Sequence, residues 1–199
     1  MNIPSVRQCL QIMDNEEMLP NIRAHSLMVT QVAHILLLQL RQSSRASNSN
    51  APLPNEELVL AGALLHDIAK TPCLEKGCHH AKKGRDLCQR LGFSEVGEVV
   101  REHVWIFDFS PARYESGHFF AKELVYYADK RVRHDTIVSL TTRQEYILER
   151  YGNNDPERHK LIKENFDNCQ QLENFLFSAM AIVPANIKEM VVSHTFPGL

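Results

Sequence analysis

The chain of 199 residues is long enough for one domain, and its 44% hydrophobic content is ample for a core. A net charge of −2 argues against a surface that coats a nucleic-acid polymer, and no apolar run approaches the roughly 18 residues that span a bilayer. The five cysteines have no framework spacing, and the opening residues lack a basic region followed by an apolar stretch; a cytoplasmic protein with reduced thiols is the expectation.

Residues 1–19 read as a short amphipathic helix with Val6, Leu10 and Met13 on one face. Pro20 suits the first turn of a second helix, along which His25, Val29, Val32 and Leu36 form a buried stripe. A single histidine on such a stripe is ordinarily a hydrogen-bonded core residue, so His25 acquires meaning only from its company. Residues 42–56 are rich in Ser, Asn and Pro and read as a mobile loop.

The segment Leu58–Lys70 organises the rest. Leu58, Ala61, Leu65 and Ile68 keep a helical period, and the helix is expected to stop near Thr71-Pro72. His66, Asp67 and Lys70 share one polar notch in it. Such groups are costly in an apolar segment unless they pair or hold a metal. A buried Asp67–Lys70 ion pair beside a satisfied histidine is the plain alternative.

Cys73, Cys78, His79 and His80 lie in a compact loop that superficially resembles a zinc knuckle, but a second close pair of ligands is missing. A helix from His80 to Leu91 ends at Gly92, and Ser94 is expected to cap the next, whose inner face carries Val96, Val99, Val100 and His103. Four of the ten histidines (His25, His66, His80, His103) thus fall in or beside apolar segments; the others sit in polar surroundings. Residues 105–117 read as a loop whose Trp105, Phe107 and Phe109 close the core, with the walling of a pocket as the alternative. Asp129 ends a helix from Phe119, one turn from Val125, and Lys130, Arg131, Arg133 and His134 then form a basic run of the kind that is usually solvated but that, beside a carboxylate-lined metal site, could equally hold phosphate. A helix from Thr141 or Thr142 to Tyr151 and a long one opening at Asp155-Pro156 complete an all-α chain without a strand pattern. The residues after Pro184 carry no signal.

The order His25, His66-Asp67, His103, Asp129, with His80 between, resembles the HD superfamily of metal-dependent phosphohydrolases. The resemblance covers residues 20–135 and rests on His-Asp-Ile-Ala-Lys in an apolar helix, the upstream histidine, and Tyr-Ala-Asp ending a later helix. His80-Ala-Lys-Lys-Gly84 followed by His103 is loosely similar to the binuclear branch containing bacterial diadenosine tetraphosphate hydrolases. A second His-Asp pair, His134-Asp135, lies in a polar context and reads as a decoy. The resemblance implies a compact helical HD-type bundle within a single domain 1–199, with a helical extension over 136–199. It also implies that His25, His66, Asp67 and Asp129 ligate one divalent transition metal, and that His80 and His103 serve a second bridged by Asp67. His79 is the substitute if His80 faces away. Such ligands suit Fe, Mn, Zn, Co or Ni without choosing among them.

The function implied is hydrolysis of a phosphoester or phosphoanhydride in a nucleotide or other small phosphorylated molecule by a metal-activated hydroxide. Asp67 and Lys70 are the catalytic candidates, with Lys70 and Arg133 holding substrate. A di-iron oxygenase and a non-catalytic ligand sensor are the competing functions on the same scaffold.

Overall fold

The computed structural model describes residues 1–47 and 51–196. Helix α1 (Val6–Asn15) starts at a reciprocal cap, in which Ser5 accepts from the Gln8 amide and Gln8 accepts from the Ser5 amide. Helix α2 (Pro20–Ser47) buries the expected stripe of His25, Val29, Val32 and Leu36. It continues well into the segment read as a mobile loop. Residues 48–50 of that segment lie outside the described residues, and Asn55 ends it by capping helix α3 (Glu56–Leu65) through the Leu58 amide at 2.9 Å.

The single helix expected over 58–70 is broken. Helix α3 stops at Leu65, residues 66–69 form turns, and a new helix, α4 (Lys70–Lys76), begins at Lys70. In a continuous helix the ring of Pro72 would meet the Ile68 carbonyl; the break instead puts Pro72 in a first turn, where its missing N–H costs nothing. Two turn hydrogen bonds, Ile68 amide to Leu65 carbonyl (3.0 Å) and Lys70 amide to Asp67 carbonyl (2.8 Å), hold His66 and Asp67 at the corner.

Gly77 then reverses the chain at φ 61°, and Cys73 and Cys78 are joined in a disulfide with Cα atoms 4.8 Å apart. This corrects the expectation of reduced thiols for these two and removes the knuckle reading; Cys9, Cys88 and Cys169 are free and buried. Helix α5 (His80–Arg90) and helix α6 (Ser94–Glu102) follow, the second starting at Ser94 rather than being capped by it. A short helix α7 (Pro111–Glu115) interrupts the segment read as loop, and helix α8 (Ala121–Lys130) leads into a hairpin of strands β1 (Val132–Arg133) and β2 (Thr136–Ile137). The decoy pair His134-Asp135 is its turn, with His134 at φ 56°. Helices α9 (Leu140–Tyr151), α10 (Pro156–Ser178) and α11 (Asn186–Ser193) finish the chain, Ser139 and Asp155 capping α9 and α10. Helix α11 lies where the sequence carried no signal.

Helix α3 is apolar all round because both faces are covered. Val59 and Ala63 join a core with α2, α8 and α10 (Leu36, Tyr127, Leu172), whereas Ala61, Leu64 and Leu65 join a second core with α1 and α6 (Met13, Val100). Close approach depends on glycine: a Cβ at Gly62 would lie 2.5 Å from Val99 Cγ1, and one at Gly84 would lie 2.7 Å from Val100 Cγ1. One turn beyond Gly62 is His66, one turn before Gly84 is His80, and Val99 and Val100 precede His103 on α6. The close packing of these helices therefore brings the three imidazoles together.

Only half of the basic run after Asp129 is solvated: Arg133 and His134 are exposed, but the first two residues are not. Lys130 and Arg131 are buried; Lys130 donates to the His103 carbonyl (2.9 Å) and lies 3.8 Å from the Tyr126 ring centroid. Arg131 donates to the Val138 and Pro184 carbonyls and pairs with Glu173 at 3.1 Å, tying α8 to the hairpin, α10 and the segment before α11. His34, assigned to polar surroundings, is likewise buried, 2.8 Å from Glu56. Among the described residues, no helix is long and apolar enough to cross a membrane.

Candidate metal centre

Two trios of side chains converge at the corner between α3 and α4. His25, His66 and Asp129 form one, and Asp67, His80 and His103 form the other. In the first, His25 Nε2 is 3.0 Å and His66 Nε2 3.7 Å from Asp129 Oδ1. In the second, His80 Nε2 and His103 Nε2 are 3.3 and 3.5 Å from Asp67 Oδ1 and 3.1 Å from each other. Two ligands on one ion at about 2.1 Å each stand about 3.0–3.7 Å apart for angles between about 90° and 125°, so both trios have separations suited to a shared ion.

Asp67 joins them. While Oδ1 faces His80 and His103, Oδ2 is 3.5 Å from His66 Nε2 and 4.0 Å from His25 Nε2. The ring orientations also fit. His25, His66 and His103 donate their Nδ1 protons to the carbonyls of His134 (2.8 Å), Ala63 (2.7 Å) and Val100 (2.6 Å). With Nδ1 so committed, Nε2 is the ring nitrogen turned inward in each case, the one left for a metal to take. The strongest fit is negative: His66 Nε2 and Asp67 Oδ1 are fully buried with no hydrogen-bond partner, a costly state for an interior that has nothing to put there. One such atom lies in each trio. The donor set and its unpartnered atoms fit one or two divalent cations.

Burial opposes ionisation of Asp67, but Lys70 and His66 outweigh it and hold the carboxyl well below the usual carboxylate range. Burial likewise opposes Asp129, which His25, Lys130 and Arg143 keep ionised. Burial and the neighbouring His103 push His80 down to about 4, so it stays neutral at ordinary pH. Both carboxylates are therefore charged, and His80 has a lone pair to give.

Lys70 is 2.6 Å from Asp67 Oδ2, so the alternative of a buried Asp–Lys pair is present in the structure. It does not exhaust the site, because His66 Nε2 and Asp67 Oδ1 remain unpartnered beside it. Lys70 also lines an open cleft of about 390 Å³ with Asn21, His25, Arg143, Tyr146 and Arg150. Arg133 is not among the lining residues; its guanidinium lies 4.6 Å from the Tyr146 ring centroid. His79 is exposed and has no close approach to Asp67, so His80 is the inward member of that pair.

Residues 22–108 match the family model for the HD domain. This segment is an HD domain. No curated protein and no solved structure matches the chain. The matched segment contains His25, His66, Asp67, His80 and His103, whereas Asp129 and all of α9 lie beyond it.

Sequence reasoning missed the residues on α9. Arg143 is buried, 3.8 Å from Asp129 Oδ1, with an unpartnered Nε. Arg143, Tyr146 and Arg150 have the i, i+3, i+7 spacing of one helix face, a signal that was present but ambiguous without knowing what the face met. The His134 carbonyl was invisible to motif reading because a backbone atom has no letter of its own.

Proposed function

We propose that this protein is a metal-dependent phosphohydrolase that cleaves a phosphoester or phosphoanhydride in a small phosphorylated molecule. One observation carries the reading: the two ligand trios meet at Asp67 where a cationic cleft, with Lys70 and Arg143 on its walls, reaches the same carboxylate. Divalent metal bound by His25, His66, Asp67, Asp129, His80 and His103 supplies polarisation of a phosphoryl oxygen and a lowered pKa for the attacking water.

The protein's own groups do the remainder. Lys70 and Arg143 bind phosphoryl oxygens and stabilise charge that develops on them, a task for which Arg143's unpartnered Nε and low exposure are suited. Arg150, further along the same face of α9, takes a more distal anionic group in the cleft. The carbonyls of His134, Ala63 and Val100 retain the Nδ1 protons of their histidines, so the inward Nε2 atoms stay available throughout. Arg133 holds Tyr146 from the side rather than reaching the substrate. The cationic cleft tilts the reading towards phosphate; oxygenases on the same scaffold also handle phosphonates or polyols, so oxygen consumption is the measurement that separates the two.

The test is reconstitution of metal-free protein with Mn, Fe, Zn, Co or Ni, followed by a phosphate-release screen over nucleotides and simple phosphoesters. Phosphate release that requires added metal is expected. Iron-dependent oxygen consumption with no phosphate release under any metal would overturn the reading in favour of the oxygenase.

A further inference from the structure

The second trio reaches solvent through His80. Its Nε2 lies 3.3 Å from Asp67 Oδ1 and 3.1 Å from His103 Nε2. The Asp67 and His103 side chains are buried, but that of His80 is 27% exposed. His80 is the first residue of α5, and there it lines a cleft of about 560 Å³ between α5 and the turn after α6. This cleft is separate from the one beside Lys70, with which it shares no lining residue.

His80 also differs from the other three histidines of the centre at its outer nitrogen. His25, His66 and His103 each have Nδ1 bonded to a backbone carbonyl, at 2.8, 2.7 and 2.6 Å. His80 Nδ1 has no hydrogen-bond partner among the described residues, and unlike His66 Nε2 it is not sealed in the interior. The two nitrogens of an imidazole point in widely divergent directions. With Nε2 turned to the trio, Nδ1 therefore points away from it, on the side where His80 meets the cleft. A histidine that holds a metal through one nitrogen ordinarily donates its other N–H to a carboxylate, a carbonyl or water, which fixes the ring and raises its basicity. At His80 the fold leaves that place open.

The cleft is suited to an anion. Lys82, Arg85 and Arg101 line it, and among the described residues no carboxylate does. Arg85 passes over Gly97, where a Cβ would lie 3.4 Å from Arg85 Cγ, and Arg101 is one turn further along the same face of α6. The carboxylates that pair with the two arginines, Asp86 at 2.8 Å and Glu98 at 3.4 Å, lie outside the lining. Trp105 and Phe107 also wall the cleft, Phe107 with the Arg101 guanidinium 4.8 Å from its ring centroid. Of the three aromatics expected to close the core, only Phe109 does, against Tyr114.

We propose that this cleft binds a small oxyanion, of the sulfate or phosphate type, which accepts the Nδ1 proton of His80 and thereby strengthens the hold of Asp67, His80 and His103 on a metal ion. Lys82, Arg85 and Arg101 supply the charge that attracts it. Linkage makes the effect reciprocal: the ion tightens the oxyanion by the same factor. The proposal rests on the pair of ligand trios and not on phosphate hydrolysis.

The experiment is a calorimetric titration of metal-free protein with zinc, in sodium sulfate and in sodium chloride of equal ionic strength. The zinc step that His103→Ala removes is expected to tighten about tenfold or more in sulfate, the lower bound for the outer partner of a metal-ligating histidine. The double variant Lys82→Ala, Arg101→Ala changes two exposed positions outside the ligand set and should bind zinc equally in the two salts. Lys70→Met should keep the tightening, which separates this cleft from the one beside Lys70. Equal zinc affinity of the wild type in both salts would show that water suffices at Nδ1, and overturns the proposal. Tightening that survives in the double variant or is lost in Lys70→Met does the same, as does the absence of that zinc step from both salts. Zinc binding is read without turnover, so failure of the hydrolase reading registers separately as absent phosphate release.

Discussion

Asp67 Oδ1 lies 3.3 Å from His80 Nε2, while the other oxygen of the same carboxylate lies 2.6 Å from Lys70 Nζ. One side chain therefore faces both ligand trios and the cleft at once. Asp67→Ala is expected to remove metal binding more completely than any other single substitution, as measured by elemental analysis of folded protein. His134→Ala and Asp135→Ala should leave metal content unchanged. At His134 the group that matters is the carbonyl that orients His25, which alanine retains. Full occupancy in Asp67→Ala protein would remove the assignment.

Two ions and one ion are distinguished at His103. Its Nε2 contributes only to the trio with His80 and Asp67, so His103→Ala should lower the metal content from nearly two per chain towards one. Wild-type protein that saturates at one ion under every supply would confine the centre to a single ion. Addition of metal at about 100 times its dissociation constant should raise stability by about 2.7 kcal/mol for each ion bound, and so by more in wild-type protein than in the variant.

Lys70→Met separates charge stabilisation from ion pairing. The variant should keep its metals and lower kcat for phosphate release by about two orders of magnitude or more, the effect of removing one group that stabilises transition-state charge. If Lys70 serves only as the partner of Asp67, turnover per metal-loaded molecule will stay near wild type and the loss will appear in thermal stability instead. Both quantities are measured on the same preparation.

Arg131 is a structural counterpart. It is buried, paired with Glu173, and bonded to two carbonyls from separate elements. Arg131→Ala leaves Glu173 and the Tyr127 hydroxyl without their cation, and a loss of about 3–5 kcal/mol is expected from denaturant unfolding. A loss under about 1 kcal/mol would show that the C-terminal helices are held by their apolar contacts alone.

Gly62→Ala tests the close packing behind the site. The added Cβ would fall 2.5 Å from Val99 Cγ1, against a stiff β-branched side chain in the core. Overpacking of about 1–3 kcal/mol exceeds the gain of about 1 kcal/mol from replacing glycine in a helix, so net destabilisation is expected. Metal affinity should fall with it, because the displaced α6 carries His103. Unchanged melting temperature and affinity would mean that the two helices have slack at this point.

The letters of the chain determined the all-α class, the buried stripe of α2, and the histidines and aspartates that converge, because periodicity and side-chain chemistry are local properties. The capping of α10 by Asp155 and the end of α5 at Gly92 were legible for the same reason. The break after Leu65 was only half legible: Pro72 announced a boundary, but the boundary fell six residues before Thr71, the residue the proline restricts, because a helix interrupted by proline can restart with it in a first turn. Tertiary structure alone decided the rest. Burial of Lys130 and Arg131 depends on Tyr126, Glu173 and the Val138 and Pro184 carbonyls, partners up to 53 residues away. Arg143 became part of the site only because α9 folds back beside Asp129, and Phe107 stayed in solvent because the turn after α6 faces outward from the core. Local sequence sets which groups are present and how each segment folds; which groups meet, and which nitrogen of a histidine faces inward, is set by packing between segments remote in the chain.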